Sequence, residues 1–289
     1  MQEIVPSQQA KQCVFPSEGE VITSLLTNNT YEIGSKIGEG NFSHVYACTD
    51  VWDNDLAVKV LKPLGSYEYV KDNAVEEFQK LVLLRHPNVT YVYDAFEYRN
   101  TFYIVTERCY GSLDGLFSLD GLEGMLWLRP IARCILQAVH YLHVNQFVHQ
   151  DIHVGNIFTK FVKDEMNDAN PDVIQFKLGD LGVGKFITDV SVGNVRAQWM
   201  LPPESMNPDE FGPIDHRIDL YHLGLVFLQL ALSTKLSFTP EDILAGKPRQ
   251  MALELPQPLS FAIEKTLRRH VMYRTESVLE LWRDLNTRM

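Results

Sequence analysis

The apolar pattern of this 289-residue chain changes its period once, close to Gly111, and that change restricts the folds open to it. Before it, residues 31–37, 43–48, 56–61, 89–96 and 101–107 are short runs rich in β-branched and aromatic residues, separated by turn residues. One helix candidate, 73–85, interrupts them, with Val75, Phe78, Leu81, Val82 and Leu84 on one side. His86-Pro87-Asn88 stops it, because proline disfavours helix in the residue before it. After Gly111 the spacing is helical: 126–143, with Pro130 arguing against continuity, then 219–232, apolar nearly all round and so expected to be buried. Two amphipathic helices, 260–269 and 276–285, close the chain. The expected fold is therefore α+β and two-lobed, with a small β-rich N-lobe and a larger helical C-lobe. Residues 1–30 are polar and aperiodic, and read as an N-terminal tail or a flank packed on the body.

Charge narrows the partners. The formal net charge of -11 argues against a broad electrostatic grip on nucleic acid or on an anionic membrane. The most apolar window, 220–233, is interrupted by His222 and Gln229 and is too short to span a bilayer. Cys13, Cys48, Cys109 and Cys134 have neither metal-ligand spacing nor a secreted-type framework. Reduced thiols in a cytoplasmic compartment are the expectation. The first residues lack a basic stretch followed by an apolar run, so no signal peptide is read there.

The chemistry concentrates in two places. His149-Gln150-Asp151-Ile152-His153-Val154-Gly155-Asn156 is followed, after a gap, by Gly179-Asp180-Leu181-Gly182. Asp151 has the chemistry to orient or deprotonate an attacking hydroxyl, and Asn156 with Asp180 offers the hard oxygen ligands that Mg²⁺ prefers. Upstream, Gly38-Glu39-Gly40-Asn41-Phe42-Ser43-His44-Val45 forms a glycine hairpin between two strand candidates. Glycines there let backbone N–H groups approach phosphate oxygens. A strand rather than a helix follows, which excludes a dinucleotide fingerprint. Within 56–61, strand alternation puts Lys59 on the same face as Ala57. A buried ammonium needs a partner, and Glu76 and Glu77 lie in the helix candidate downstream.

With Pro202-Pro203-Glu204, Asp219 and Arg274, these residues arrive in an order that resembles a eukaryotic-type protein kinase from about residue 31 to the C-terminus. The resemblance implies an N-lobe of about 31–109 and a C-lobe of about 110–289, with ATP and Mg²⁺ in the cleft. It implies catalytic roles for Asp151, Lys59 and His153, an ion pair between Lys59 and Glu77, and metal ligation by Asn156 and Asp180. Around the nucleotide it carries over Gly38, Gly40, Ser43, Val45, Ala57, Lys59 and Glu77. Thr106 takes the gatekeeper position before the hinge Glu107-Arg108-Cys109, and Phe158 extends the apolar stack on the purine. Glu204 is expected to pair with Arg274, and Asp219 to anchor the catalytic loop; by its residue type alone, Asp219 would also serve as a helix cap.

Departures from the family pattern qualify that reading. Gln150 stands where an arginine usually receives an activation-loop phosphate, so activation by that route is not expected. His153 replaces the usual lysine, as in haspin-type kinases, and a neutral imidazole offers a donor with less charge. Leu181 replaces the common phenylalanine, and residues 161–172 lengthen and acidify a hairpin. The expected activity is transfer of the γ-phosphate of Mg-ATP to a protein hydroxyl, Ser/Thr rather than Tyr. Two alternatives remain open at this point. One is a small-molecule phosphotransferase, since the Asp151 loop equally resembles those of aminoglycoside and choline kinases. The other is a pseudokinase that binds without turnover.

Overall fold

The computed structural model describes residues 14–40, 43–62, 82–118, 122–162, 173–181, 185–186 and 200–287. The chain divides into two compact units, Met1–Arg85 with Tyr91–Arg108, and His86–Thr90 with Cys109–Met289.

The first unit is built on a six-stranded sheet. Its strands are β1 (Val21–Thr23), β2 (Thr30–Glu39), β3 (Ser43–Asp50), β4 (Asp55–Leu61), β5 (Val92–Tyr98) and β6 (Thr101–Glu107), in the order β1-β2-β3-β4-β6-β5. All neighbouring pairs are antiparallel. Alternation decides which face is core. Tyr46, Cys48, Leu56, Val58, Val60, Tyr103 and Val105 face one side and pack with Ile22, Tyr31, Ile33 and Phe96. β1 has no counterpart in the sequence reading, because three residues are too few to show a period. Ile22 nevertheless joins the core, and Val21–Thr23 pairs with β2 opposite Thr30, Tyr31 and Glu32.

The strand expected at 89–96 is corrected at its start. β5 begins at Val92, whereas Val89 makes a parallel bridge to Leu178 in the second unit. Polar bonds fix this short segment there: Thr90 N–H donates to the Leu178 carbonyl, Leu178 N–H to Asn88, and Lys177 Nζ to the Pro87 carbonyl. An apolar run read by composition alone does not reveal where its backbone finds partners. The helix expected at 73–85 falls mostly on residues outside those described.

In the second unit, the 21-residue helix Gly124–Val144 buries Leu128, Ile131, Ala132, Ile135, Leu136, Val139 and Leu142 along one side. Pro130 lies inside it, so the helix runs through the residue that argued against continuity. The cost is one missing donor near the N-terminal end. Helix Arg217–Leu232 is buried from Ile218 to Leu230, as its nearly uniform apolar sequence requires. The closing helices are Leu259–Thr266 and Val278–Asn286. Strands β7 (Gly111–Ser112), β9 (Ile157–Val162) and β10 (Val173–Leu178) form a three-stranded sheet, and β8 (Phe147–Val148) pairs with β11 (Lys185–Phe186). Among the described residues no helix is long and apolar enough to cross a membrane.

Candidate active site

Directly opposed residues of antiparallel strands point to the same face of the sheet. In the first unit, Gly38 opposes Val45, Val45 opposes Lys59, and Lys59 opposes Ile104. Ala57 opposes Ala47 and Thr106. Val45, Ala57, Lys59 and Thr106 therefore share the face opposite the core, and Ser43 belongs to the same set by alternation. Val45, Lys59 and Thr106 are half-buried, while Ser43 and Ala57 are buried. The hairpin closes tightly, with the Gly40 N–H donating to the Ser43 carbonyl at 2.9 Å. Glu107 is different. Its carboxylate accepts the Tyr91 N–H at 2.9 Å, and its own N–H donates to the Tyr91 carbonyl, which fixes the end of β6. Cys109 is the first residue of the chain's return to the second unit and is not in a disulfide. Glu77 lies outside the described residues.

In the second unit one buried carboxylate organises the loop that carries Asp151. Asp219 Oδ1 accepts the Gln150 N–H at 2.8 Å, and Oδ2 accepts the His149 N–H at 2.9 Å. His143 Nε2 lies 2.9 Å from the same Oδ2. Burial would push this carboxyl up, but the hydrogen bond from His143 and the charges and bonds around it hold it below the usual carboxylate range. Asp219 is not a helix cap. It is the third residue of Arg217–Leu232, whose capping residue is His216. Its lone pairs go to the loop.

The loop is closed by local bonds. His149 Nδ1 accepts the Asp151 N–H at 3.3 Å, which leaves Nε2 to donate to the Gly179 carbonyl at 3.0 Å. This pattern assigns the neutral Nε2–H tautomer. Asn156 donates through Nδ2 to the Asp151 carbonyl at 2.9 Å and to Asp151 Oδ2 at 3.2 Å. Asp151 is buried, and its Oδ1 has no hydrogen-bond partner among the described residues. A buried carboxylate oxygen without a donor is costly as a scaffold feature and suited to accept a proton from a bound hydroxyl.

The hairpin of β9 and β10 brings the second aspartate to the loop. Ile157 opposes Leu178, and the Gly179 N–H donates to the Asn156 carbonyl at 2.9 Å, so Asp180 follows directly beside Asn156 in the fold. Gly179 is required there by close approach. A Cβ would fall 2.5 Å from the Phe158 ring and 2.7 Å from the Thr90 hydroxyl. Asp180 is exposed and adopts a left-handed backbone at φ 55°, and Leu181 next to it is buried. With the Asn156 Nδ2 committed to Asp151, its amide oxygen is the end free to meet a cation. Among the described residues no group of three His, Cys, Asp or Glu could hold a metal by itself. Asn156 and Asp180 are thus a two-residue oxygen donor set, which suits Mg²⁺ that keeps water and phosphate oxygens as further ligands.

His153 lies 3.8 Å from Asp151 Oδ2 through Nε2, and its Nδ1 accepts the Gly155 N–H at 3.0 Å. The acceptor role of Nδ1 leaves the proton on Nε2, on the side of Asp151. Burial is the largest influence on its pKa and lowers it, against the raising charge of Asp151. Gln150 is fully buried with φ 65°, and neither amide atom has a partner among the described residues. Glu204 and Arg274 form a buried bidentate ion pair, and Arg274 also donates to the carbonyls of Arg268 and Arg269. Sequence reasoning missed His143 and the bridging role of His149. Nothing in a lone histidine at either position distinguishes a loop strut from a packed ring.

A glycine hairpin between two strands, and a buried loop holding aspartate and asparagine with an exposed second aspartate beside it, resemble the parts of a phosphotransferase site. The family model for the protein kinase domain matches residues 31–280, and the chain belongs to that family. Serine/threonine-protein kinase TAO2 of Xenopus laevis is 28% identical over 200 residues, covering 68% of this chain and 18% of that protein. Serine/threonine-protein kinase TAO3 of Mus musculus is 29% identical over 203 residues, covering 68% and 21%. The probable serine/threonine-protein kinase zyg-1 of Caenorhabditis briggsae is 29% identical over 194 residues, covering 66% and 25%. The chain thus matches a quarter or less of the length of these relatives.

Proposed function

We propose that this protein transfers the γ-phosphoryl group of Mg-ATP to a serine or threonine hydroxyl of a protein substrate, with Asp151 as the base. The observation that carries the reading is the state of Asp151: buried, fixed through Asn156 and the Asp219 network, and with Oδ1 unpartnered. In this reading the substrate hydroxyl oxygen forms a bond to the γ-phosphorus as the bond to ADP breaks, and its proton passes to Asp151. Asn156 and Asp180 would hold Mg²⁺, which supplies charge neutralisation at the phosphate oxygens. The neutral His153 would donate its Nε2 proton as a hydrogen bond near Asp151, in place of a lysine charge. On the sheet of the first unit, Val45, Ala57 and Thr106 would contact the purine. The hinge backbone of Glu107 and Cys109 would bond it, Gly38, Gly40 and Ser43 would admit the phosphates, and Lys59 would bind them in an ion pair with Glu77. The serine/threonine assignment draws on the named relatives, which are serine/threonine-protein kinases.

The test is incubation of the purified chain with Mg²⁺, γ-labelled ATP and, in parallel, a mixed peptide library, an aminoglycoside or choline, followed by phosphoamino-acid analysis of the peptides. Labelled phosphoserine and phosphothreonine are expected. Label on an aminoglycoside or on choline with none on peptide, or nucleotide binding with no transfer at all, would overturn the reading in favour of the small-molecule or binding-only alternative.

A further inference from the structure

A second concave site lies in the second unit, between helix Lys247–Leu253 and the turn that follows helix Leu259–Thr266. Its volume is about 390 Å³, within the range of small-ligand pockets. Arg249, Arg268, Arg269 and His270 line it, and none of its lining residues is Asp or Glu. On a chain with a formal net charge of -11, a carboxylate-free cavity walled by three arginines is a local reversal of sign.

The arginines are held in place. Glu264, buried behind them, accepts from Arg249 Nε at 2.8 Å and from Arg268 Nη2 at 2.6 Å. Burial pushes the Glu264 carboxyl up, but the hydrogen bonds from Arg268 and Arg249 hold it below the usual range, so it stays ionised. Three guanidiniums against this one carboxylate leave two positive charges in surplus. Arg269 donates from Nη1 to the Leu244 carbonyl at 2.7 Å and lies over the Phe211 ring. Gly246, beside the Arg269 stem, has a left-handed backbone at φ 78°, which glycine adopts without strain. Among the described residues, Arg249 thus keeps both terminal nitrogens unpaired, and Arg269 keeps Nη2. A pair of pre-positioned guanidinium forks matches the geometry of a phosphate monoester, and the surplus matches its charge of about -1.5 to -2 near neutral pH.

We propose that this cavity binds a phosphorylated serine or threonine side chain of a protein, so that a phosphorylated product or an already phosphorylated substrate docks on the second unit. The proposal deepens the kinase reading by naming a substrate class, but its test needs no catalysis. Alanine and leucine positions in the wall, Ala245 and Leu253, give the flanking peptide an apolar contact.

The experiment is fluorescence anisotropy of the full chain, without ATP, against a labelled peptide library with a fixed phosphoserine and degenerate flanks. The same library without phosphate is the control, and inorganic phosphate is the competitor. The expected result is binding at least tenfold tighter for the phosphorylated library, displaced by inorganic phosphate only at far higher concentration. Arg249→Ala should weaken it at least tenfold; Arg268 remains to neutralise Glu264 in that variant. Gln250→Glu breaks no bond of the wall and adds a negative charge at an exposed lining position, so it should also weaken binding in a chain with unchanged melting temperature. Equal binding of both libraries, or phosphopeptide binding unchanged in both variants, overturns the proposal. So does competition by inorganic phosphate as strong as that of unlabelled phosphopeptide, which would mean a free-anion site. Absence of kinase activity alongside phosphate-dependent binding would defeat the proposed function and leave this site standing.

Discussion

The sheet face of the first unit and the Asp151 loop of the second present candidate site side chains by opposite means. On the sheet, Val45, Ala57, Lys59 and Thr106 are aligned by strand register alone, and the core that fixes them lies on the other face. In the loop, polar bonds hold Asp151. Its place depends on Asp219, His143, His149 and Asn156, whose bonds run through buried polar atoms. A repeating backbone ladder tolerates the exchange of a presented side chain. A buried polar network does not, because each removed partner leaves another buried group unsatisfied.

The largest stability effect should come from the scaffold of the second unit. Arg274→Ala leaves Glu204 charged and buried, and should cost about 3–5 kcal/mol in urea-denaturation measurements. Its counterpart on the sheet, Lys59→Met, should cost about 1 kcal/mol or less while removing most of the phosphotransfer activity. Equal stability losses in the two variants would break the comparison.

A smaller effect, tied to pH, should come from His222. Fully buried in helix Arg217–Leu232, its ring nitrogens have no hydrogen-bond partners among the described residues, and burial pushes its pKa from 6.5 to about 4. The unfolded chain therefore binds the proton first. Stability attributable to the neutral ring is present above pH 6.5 and is lost as pH falls toward 4, by roughly 3 kcal/mol in all. Urea melts of wild type and His222→Leu across this window should converge in slope at pH 7 and differ below pH 6. Parallel profiles would show that the ring titrates normally.

The smallest effect concerns Gln150, a neutral amide where a phosphate-gripping arginine is usual. Phosphatase treatment, with mass spectrometry confirming that residues 180–204 are unmodified, should lower activity less than tenfold, or about 1.4 kcal/mol in the barrier. A larger loss, restored on rephosphorylation, would show that another cation grips a loop phosphate.

The same contrast governs what could be read from the sequence. Alternation put Lys59 and Ala57 on one face, and the registers of β3, β4 and β6 bear this out, because a period of two is a local property. The strands of the sheet and the buried helix Arg217–Leu232 were legible for the same reason. β1 was not, since three residues carry no period, and neither was the defection of Val89 to the second unit, which depends on hydrogen bonds to Leu178 and Phe176 far along the chain. In the loop, residue types named Asp151, Asn156 and Asp180, but nothing local tells that His143 shares Asp219 with two loop amides. The arginine cavity was invisible for a related reason. Arg249 and Arg268 meet because both reach Glu264, the first from helix Lys247–Leu253 and the second from the turn after helix Leu259–Thr266.

The most direct test of the account is the kinetic and binding behaviour of Asp151→Ala. If the sheet face handles the nucleotide and the loop performs the transfer, turnover should fall by about 10²–10⁴-fold. Mg-ATP affinity, measured by titration calorimetry on the same preparation, should change little. Near wild-type turnover in a preparation free of contaminating kinase would contradict the assignment of Asp151 and, with it, the proposed mechanism.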